Sequence, residues 1–598
     1  TTIDGSELLS KLGSIELSVN ALNDSSLAAA IDIDVTGADA ALSTITASSM
    51  TAATGDVTVD DFLTVNALTV NAGGDALVGT VGSIGTIIGG AYITAGATTL
   101  NALGEIGGVT VQATGAADLT SGADIVNSTV EGTTVVLDAA GNISNTAAEA
   151  LTTADLTAVN AISGSTVTAG TDVTLTALQI GNTSAAALTG EITTTGNIFD
   201  STLTALGDVT ITNAYYVSNN MVVAGGAIDL TQNVTKVVGG SYLADGAIDV
   251  LAAGLVASAT FDSGDVVTMN AAGNIEVVNV KANNGATLTS GAGIDGSTVV
   301  VNSGNAVLTA VQIANSAITT ESGSVLFTAD DLYNLTVTSA GVIDGTAVVG
   351  NVVGGSYVAA DDITFDAAAT IASASFDGSA DVTLAASGNI ELVNVKANDN
   401  ATLTSGANID GATVVANNGA AGLTAAGFIA NTAVESAGAA TLKAGTDVSG
   451  TSVTAGGDVA IEATAGTIQG TSALGDGAMT LTAGEEIDGS DFTALGDITV
   501  SATDLAASSF ISETGAISVG SVANIIDSTI WAKLGAITIT DVTEELDGST
   551  ISAATDLTLT ANWIVGSSLI AENGLLYVTA TTIDGSELLS KLGSIELS

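Results

Sequence analysis

The sequence predicts an all-β protein, a single long parallel β-helix (β-solenoid) of about 30 coils of about 19 residues, running through residues 1–598 as one continuous domain. Three observations predict it. Short apolar/polar alternations are separated by Gly-rich corners, similar segments return about every 19 residues, and the composition suits a narrow core in a near-continuous ladder. There is no Pro among 598 residues, and aromatics are 3%. Pro cannot donate to a β-ladder, and a large globular core normally uses aromatic bulk. A hydrophobic fraction of 46% excludes a disordered chain.

The single coil is read from GSTVTAGTDVTLTA, residues 164–177. Val167, Val173 and Leu175 are expected inward, and Thr174 and Thr176 outward, because side chains alternate across a strand. Gly170 is expected to turn the corner with a positive φ. From Ile106 to Ile583 there are 25 such intervals of about 19 residues. Successive coils about 4.8 Å apart would stack like on like, so that thirty of them span roughly 145 Å. Asn142, Asn197, Asn274 and Asn389 follow Gly and are expected in left-handed corners or stacked amide ladders.

Two longer repeats overlie the coil. Residues 237–301 are duplicated at 352–416, a shift of 115 residues or six coils. Insertion by whole coils is what a solenoid tolerates, since each coil touches only its neighbours. Residues 581–598 are identical to residues 1–18 (TTIDGSELLSKLGSIELS). The chain therefore reads as one 580-residue period plus one repeated coil, cut from a tandem array.

Coils such as ISGSTVTAGTDVTLTA (162–177) and LDGSTISAATDLTLTA (546–561) resemble the haemagglutinin-type repeats of the filamentous haemagglutinin family of bacterial secreted and surface proteins. The resemblance runs through most of the chain and is clearest after Ile106. It implies a right-handed helix, export across the outer membrane of a Gram-negative bacterium, and roles in adhesion or cell contact. No amino-terminal secretion domain of that family is present in these residues.

Charge narrows the function. All seven basic residues are Lys, and the net charge is −56, which opposes nucleic-acid binding. No run of about 18 apolar residues exists, so no membrane-inserted helix is expected, and no signal peptide is visible. With no Cys, His or Arg, few catalytic side chains remain. The adjacent acidic pairs Asp60/Asp61, Asp330/Asp331, Asp361/Asp362, Glu485/Glu486 and Glu544/Glu545 read as turns, so no catalytic residue, cofactor-binding residue or enzyme activity is expected. Calcium is the candidate cofactor. Hard cations take oxygen ligands, and Asp recurs at the coil start as Asp295, Asp410, Asp488, Asp547 and Asp584. The competing reading is a solvated acidic surface. Outward Thr-x-Thr pairs (Thr174/Thr176, Thr210/Thr212, Thr558/Thr560) would suit ice binding in a flat array, but Met269/Asn270 and Leu384/Ala385 interrupt them.

The sequence thus points to a structural component of an extracellular filament or giant cell-surface fibre. Its partner is itself, by head-to-tail continuation or lateral bundling. The alternative is the stalk of a secreted adhesin of the two-partner-secretion type, with its head elsewhere and a cell or matrix surface as partner.

Overall fold

The computed structural model describes residues 1–598, the side chain of Ala367 excepted. Every regular element of the described residues is a β-strand, and no helix is long and apolar enough to cross a membrane. The chain forms two compact units, Thr1–Gly293 and Ile294–Ser598. Each is a stack of parallel coils with the predicted spacing of about 19 residues.

A coil has three strands, seen in Ile125–Val126, Thr129–Gly132 and Val135–Ala139. They are called here the short, middle and long strands. Each pairs in parallel with its counterpart one coil on, so three ladders climb each unit. In the short ladder Ile125, Ile143, Ile162, Ile180 and Ile198 stand in register. In the middle ladder Val111, Val130, Ala148, Val167 and Ala185 do so. In the long ladder Leu119, Leu137, Leu156 and Leu175 do so. All of these side chains are buried. Each fully buried Val, Leu or Ile contributes about 1.5–3 kcal/mol. The alternation read from the sequence is realised: Val167, Val173 and Leu175 face in, and Thr174 and Thr176 are half-exposed.

Two corner expectations are corrected. Gly170 does not adopt a positive φ. It is needed because a Cβ there would lie 1.9 Å from the Leu151 carbonyl oxygen, a contact no larger residue can make. The left-handed residue of that coil is Gly164, at φ 59°. Likewise Asn142, Asn197, Asn274 and Asn389 are not left-handed. Most of the left-handed asparagines enter the middle strand, such as Asn127 (51°), Asn145 (49°) and Asn315 (48°), and Asn is among the non-Gly residues that adopt this conformation most readily. The amide-ladder expectation holds in part: Asn408 Nδ2 donates to Asn389 Oδ1 at 3.3 Å.

A polar column lies inside the coil wall, just before the middle strand. The N–H of Ser490 donates to Ser508 Oγ (3.2 Å), Ser508 to Ser528 (3.3 Å), Ser528 to Ser549 (3.0 Å) and Ser549 to Ser567 (3.1 Å). Ser508 and Ser528 each donate in turn to the carbonyl two residues earlier, at 2.8 and 2.9 Å. A buried polar group is tolerated only when satisfied, and this arrangement satisfies backbone N–H and hydroxyl together.

Candidate functional site

The outer face is acidic, and the structure shows how its carboxylates are used. An Asp immediately before the long strand turns its Oδ1 onto a backbone N–H one coil further on. Asp56 accepts from Asp75 N (2.7 Å), Asp75 from Ala97 N (2.7 Å), Asp172 from Glu191 N (2.9 Å) and Asp208 from Ala227 N (2.7 Å). The second unit repeats this with Asp458 and Ala478 (2.8 Å) and Asp556 and Leu575 (2.8 Å). Charge-assisted bonds of this kind are short and strong. They also account for the Gly in these corners, since a Cβ at Gly96 would lie 1.9 Å from Asp75 Oδ1. Much of the acidity therefore ties one coil to the next.

The five calcium candidates lie on separate coils, and their partners are mostly amides. Asp295 Oδ1 accepts from Asn315 Nδ2 (2.9 Å), Asp410 Oδ1 from Asn431 Nδ2 (2.9 Å) and Asp488 Oδ2 from Gln469 Nε2 (3.1 Å). Asp547 and Asp584 share a column with Val565 between them. Among the described residues no group of three or more acidic side chains is placed to hold a metal ion.

The acidic pairs divide. Asp60 accepts from the Ser83 hydroxyl and from Thr80 N (3.0 Å). Burial raises its carboxyl, but these donors outweigh it and leave Asp60 below its ordinary value. Asp330/Asp331 and Glu544/Glu545 are not in turns as expected. They lie within the strands Val325–Tyr333 and Ile537–Asp547. Both strands run through a corner, so alternation lapses there and both members of each pair face away from the core. The threonine array is short: Thr174, Thr193 and Thr210 stand in register, and Asp229 ends the run.

One outward column is unlike the rest. Glu486, Asp504, Asn524, Glu545, Trp563 and Thr582 occupy successive coils in register. Burial raises the Glu486 carboxyl, and the charges of Asp488 and Asp504 raise it further. Asn524 Nδ2 donates to Asp504 Oδ1 at 2.9 Å. Glu544, Glu545, Asn562 and Trp563 bound an open notch of about 310 Å³, and Trp563 is 51% exposed. Sequence reasoning missed both this column and the buried serines. The signals were present, since Trp563 is one of two tryptophans in 598 residues and Ser or Thr recurs before the middle strand.

No family model matches the chain, and no curated protein is similar to it.

Proposed function

We propose that the chain is a structural component of an extracellular filament or giant cell-surface fibre, in which the 580-residue period follows itself covalently. It provides length and stiffness and carries out no chemistry. The observation that carries this reading is the pair of settings in which one 18-residue coil occurs. At residues 1–18 the coil bears the next coil: Thr2–Asp4 pair with Ala21–Asn23, Glu7–Ser10 with Ser26–Ala29, and Ile15–Val19 with Ile33–Gly37. At 581–598 the same residues rest on the coil before: Thr582–Asp584 pair with Trp563–Val565, Glu587–Ser590 with Ser568–Ala571, and Ile595–Leu597 with Leu576–Val578.

Taken together the two settings describe one coil packed on both sides. The buried serine column passes through it, since Ser567 N donates to Ser586 Oγ (3.1 Å) and Ser6 N donates to Ser25 Oγ (3.2 Å). Lys591 pairs with Glu572 at 2.7 Å, which supplies the setting for its twin Lys11. Docking of separate copies is the weaker arrangement. It would set Asp584, Glu587, Lys591 and Glu596 directly on Asp4, Glu7, Lys11 and Glu16, and like charges facing across a ladder are destabilising. Sharing a single coil avoids that repulsion.

Electron microscopy of the native material tests the proposal. Fibres that run past one 580-residue period without a joint support it. Discrete rods one period long, or rods ending in a globular head, would move the reading to an adhesin stalk.

A further inference from the structure

We propose that the notch formed by Glu544, Glu545 and Trp563 binds an organic cation, the ammonium or guanidinium group of a Lys or Arg side chain on a basic partner polypeptide. The chain contains its own template for such a site. Lys533 Nζ stands 4.9 Å from the Trp531 ring centroid and 2.6 Å from Glu513 Oε1, so one ammonium is held between an aromatic face and a carboxylate. Lys236 Nζ similarly stands 5.3 Å from the Tyr216 ring and 5.8 Å from that of Tyr215. Trp563 and Glu545 reproduce the aromatic and anionic halves of the template. They are in-register neighbours on adjacent coils, which places their Cβ atoms about 5 Å apart. Among the described residues no lysine stands over Trp563, and the notch is lined by Asn524, Thr543, Glu544, Glu545, Asn562 and Trp563 without a basic side chain.

The backbone is shaped for the purpose. The strand Ile537–Asp547 slips register against its neighbour between Ile539 and Val542 and again between Val542 and Glu545. These bulges leave Thr543, Glu544 and Glu545 all facing away from the core, which a regular strand cannot do; bulges commonly re-aim side chains at binding sites. Asn524 Nδ2, bonded to Asp504, also lies 3.4 Å from Glu544 Oε2 and braces one wall. A cation over a Trp face gains from the ring quadrupole, and two carboxylates with no paired base add charge complementarity. The volume of about 310 Å³ is at the small end of ligand sites, suited to one side chain.

The test uses the full chain carrying Trp531→Phe, which leaves Trp563 as its only tryptophan. Its fluorescence is titrated with acetyl-Gly-Arg-Gly-amide, acetyl-Gly-Gln-Gly-amide, putrescine and cellobiose. The expected result is a saturable change with the arginine peptide, at least tenfold weaker with the glutamine peptide and in the Glu544→Gln/Glu545→Gln background, with circular dichroism unaltered. No saturable change, an equal response to the glutamine peptide or cellobiose, or undiminished binding by the Gln variant would overturn the proposal. Tighter binding of putrescine than of the arginine peptide would overturn its assignment to a polypeptide.

Discussion

Two stretches of closely similar sequence, 237–301 and 352–416, build the same coils around differently filled cores. In the first, Tyr242 stacks on Phe261 with centroids 5.0 Å apart. In the second, Tyr357 stacks on Phe376, also at 5.0 Å. Beside these rings the solutions diverge. Leu230, in the coil just before the first stretch, stands in register with Val250 within it. The positions 115 residues on are Gly345 and Phe365, and the Phe365 ring lies where a Gly345 Cβ would be, 2.1 Å away. Phe365 joins the second stack edge-on, 5.3 Å from Tyr357 and 5.6 Å from Phe376. One coil has given up a side chain and its neighbour has taken the space. A solenoid core thus conserves volume along its column rather than residue by residue.

The largest expected effect is Phe376→Ala. The ring touches two others, so local opening near residues 352–397, read by hydrogen exchange, is expected to cost about 3–5 kcal/mol less than in the parent chain. Phe261→Ala, with one ring partner, is expected at the lower end of that range. Equal losses would remove the energetic distinction between the two cores.

Gly345→Leu is expected to destabilise the same region by about 1–3 kcal/mol through overpacking. Adding Phe365→Val, which installs the first region's pair, is expected to restore most of the loss. Failure of that rescue would show that the two positions do not compensate one another.

The tyrosines sharpen the comparison further. The Tyr242 and Tyr357 hydroxyls are both buried without a hydrogen-bond partner. Asn220 lies beside the Tyr242 hydroxyl, and the position 115 residues on is Leu335. Phe at either position is therefore expected to stabilise by about 1 kcal/mol or more, since an unsatisfied buried group is costly, with the smaller gain at Tyr242, where the polar Asn220 side chain is the neighbour. Burial also pushes both hydroxyls far above their ordinary value. They stay neutral in the folded chain while the unfolded chain ionises above about pH 10. The stability is complete below that pH and falls as pH rises through it. Tyr357→Phe should remove its share of the alkaline loss in a pH series of hydrogen-exchange or melting measurements.

The smallest effects are expected at the surface. Lys281 pairs with Asp262 at 3.3 Å and Lys396 with Asp377 at 3.0 Å, with both lysines more than half exposed. Alanine at either is expected to change stability by less than about 1 kcal/mol, again read by hydrogen exchange. A larger change at one alone would mark a difference between the regions that the geometry does not contain.

The sequence made the coil legible because period-two alternation and the spacing of about 19 residues report directly on which side chains face in. Val167, Val173 and Leu175 needed nothing more. The corners were less legible, since Gly serves both positive φ and close approach, and only neighbouring coils tell which; Gly170, expected at positive φ, serves close approach, and the positive φ falls on Gly164. The use of the carboxylates was hidden for the same reason. Asp75 contacts Ala97 one coil away, and the acceptor role of an Asp is not written in its own segment. The Glu545–Trp563 neighbourhood depends on bulges between Ile539 and Glu545, which shift register in a way no local pattern announces.

Register itself can be measured. Thr174, Thr193, Thr210, Asp229, Asp249, Thr268 and Thr287 stand one above another, six steps from first to last. The chain has no cysteine, so nitroxide labels at Thr174→Cys and Thr287→Cys report on that pair alone. Pulsed electron paramagnetic resonance is expected to give a narrow distribution near 29 Å, six steps of about 4.8 Å. A broad distribution, or one centred far from that distance, would contradict the stacking of one coil per step on which the fold, the ladders and the proposed fibre all depend.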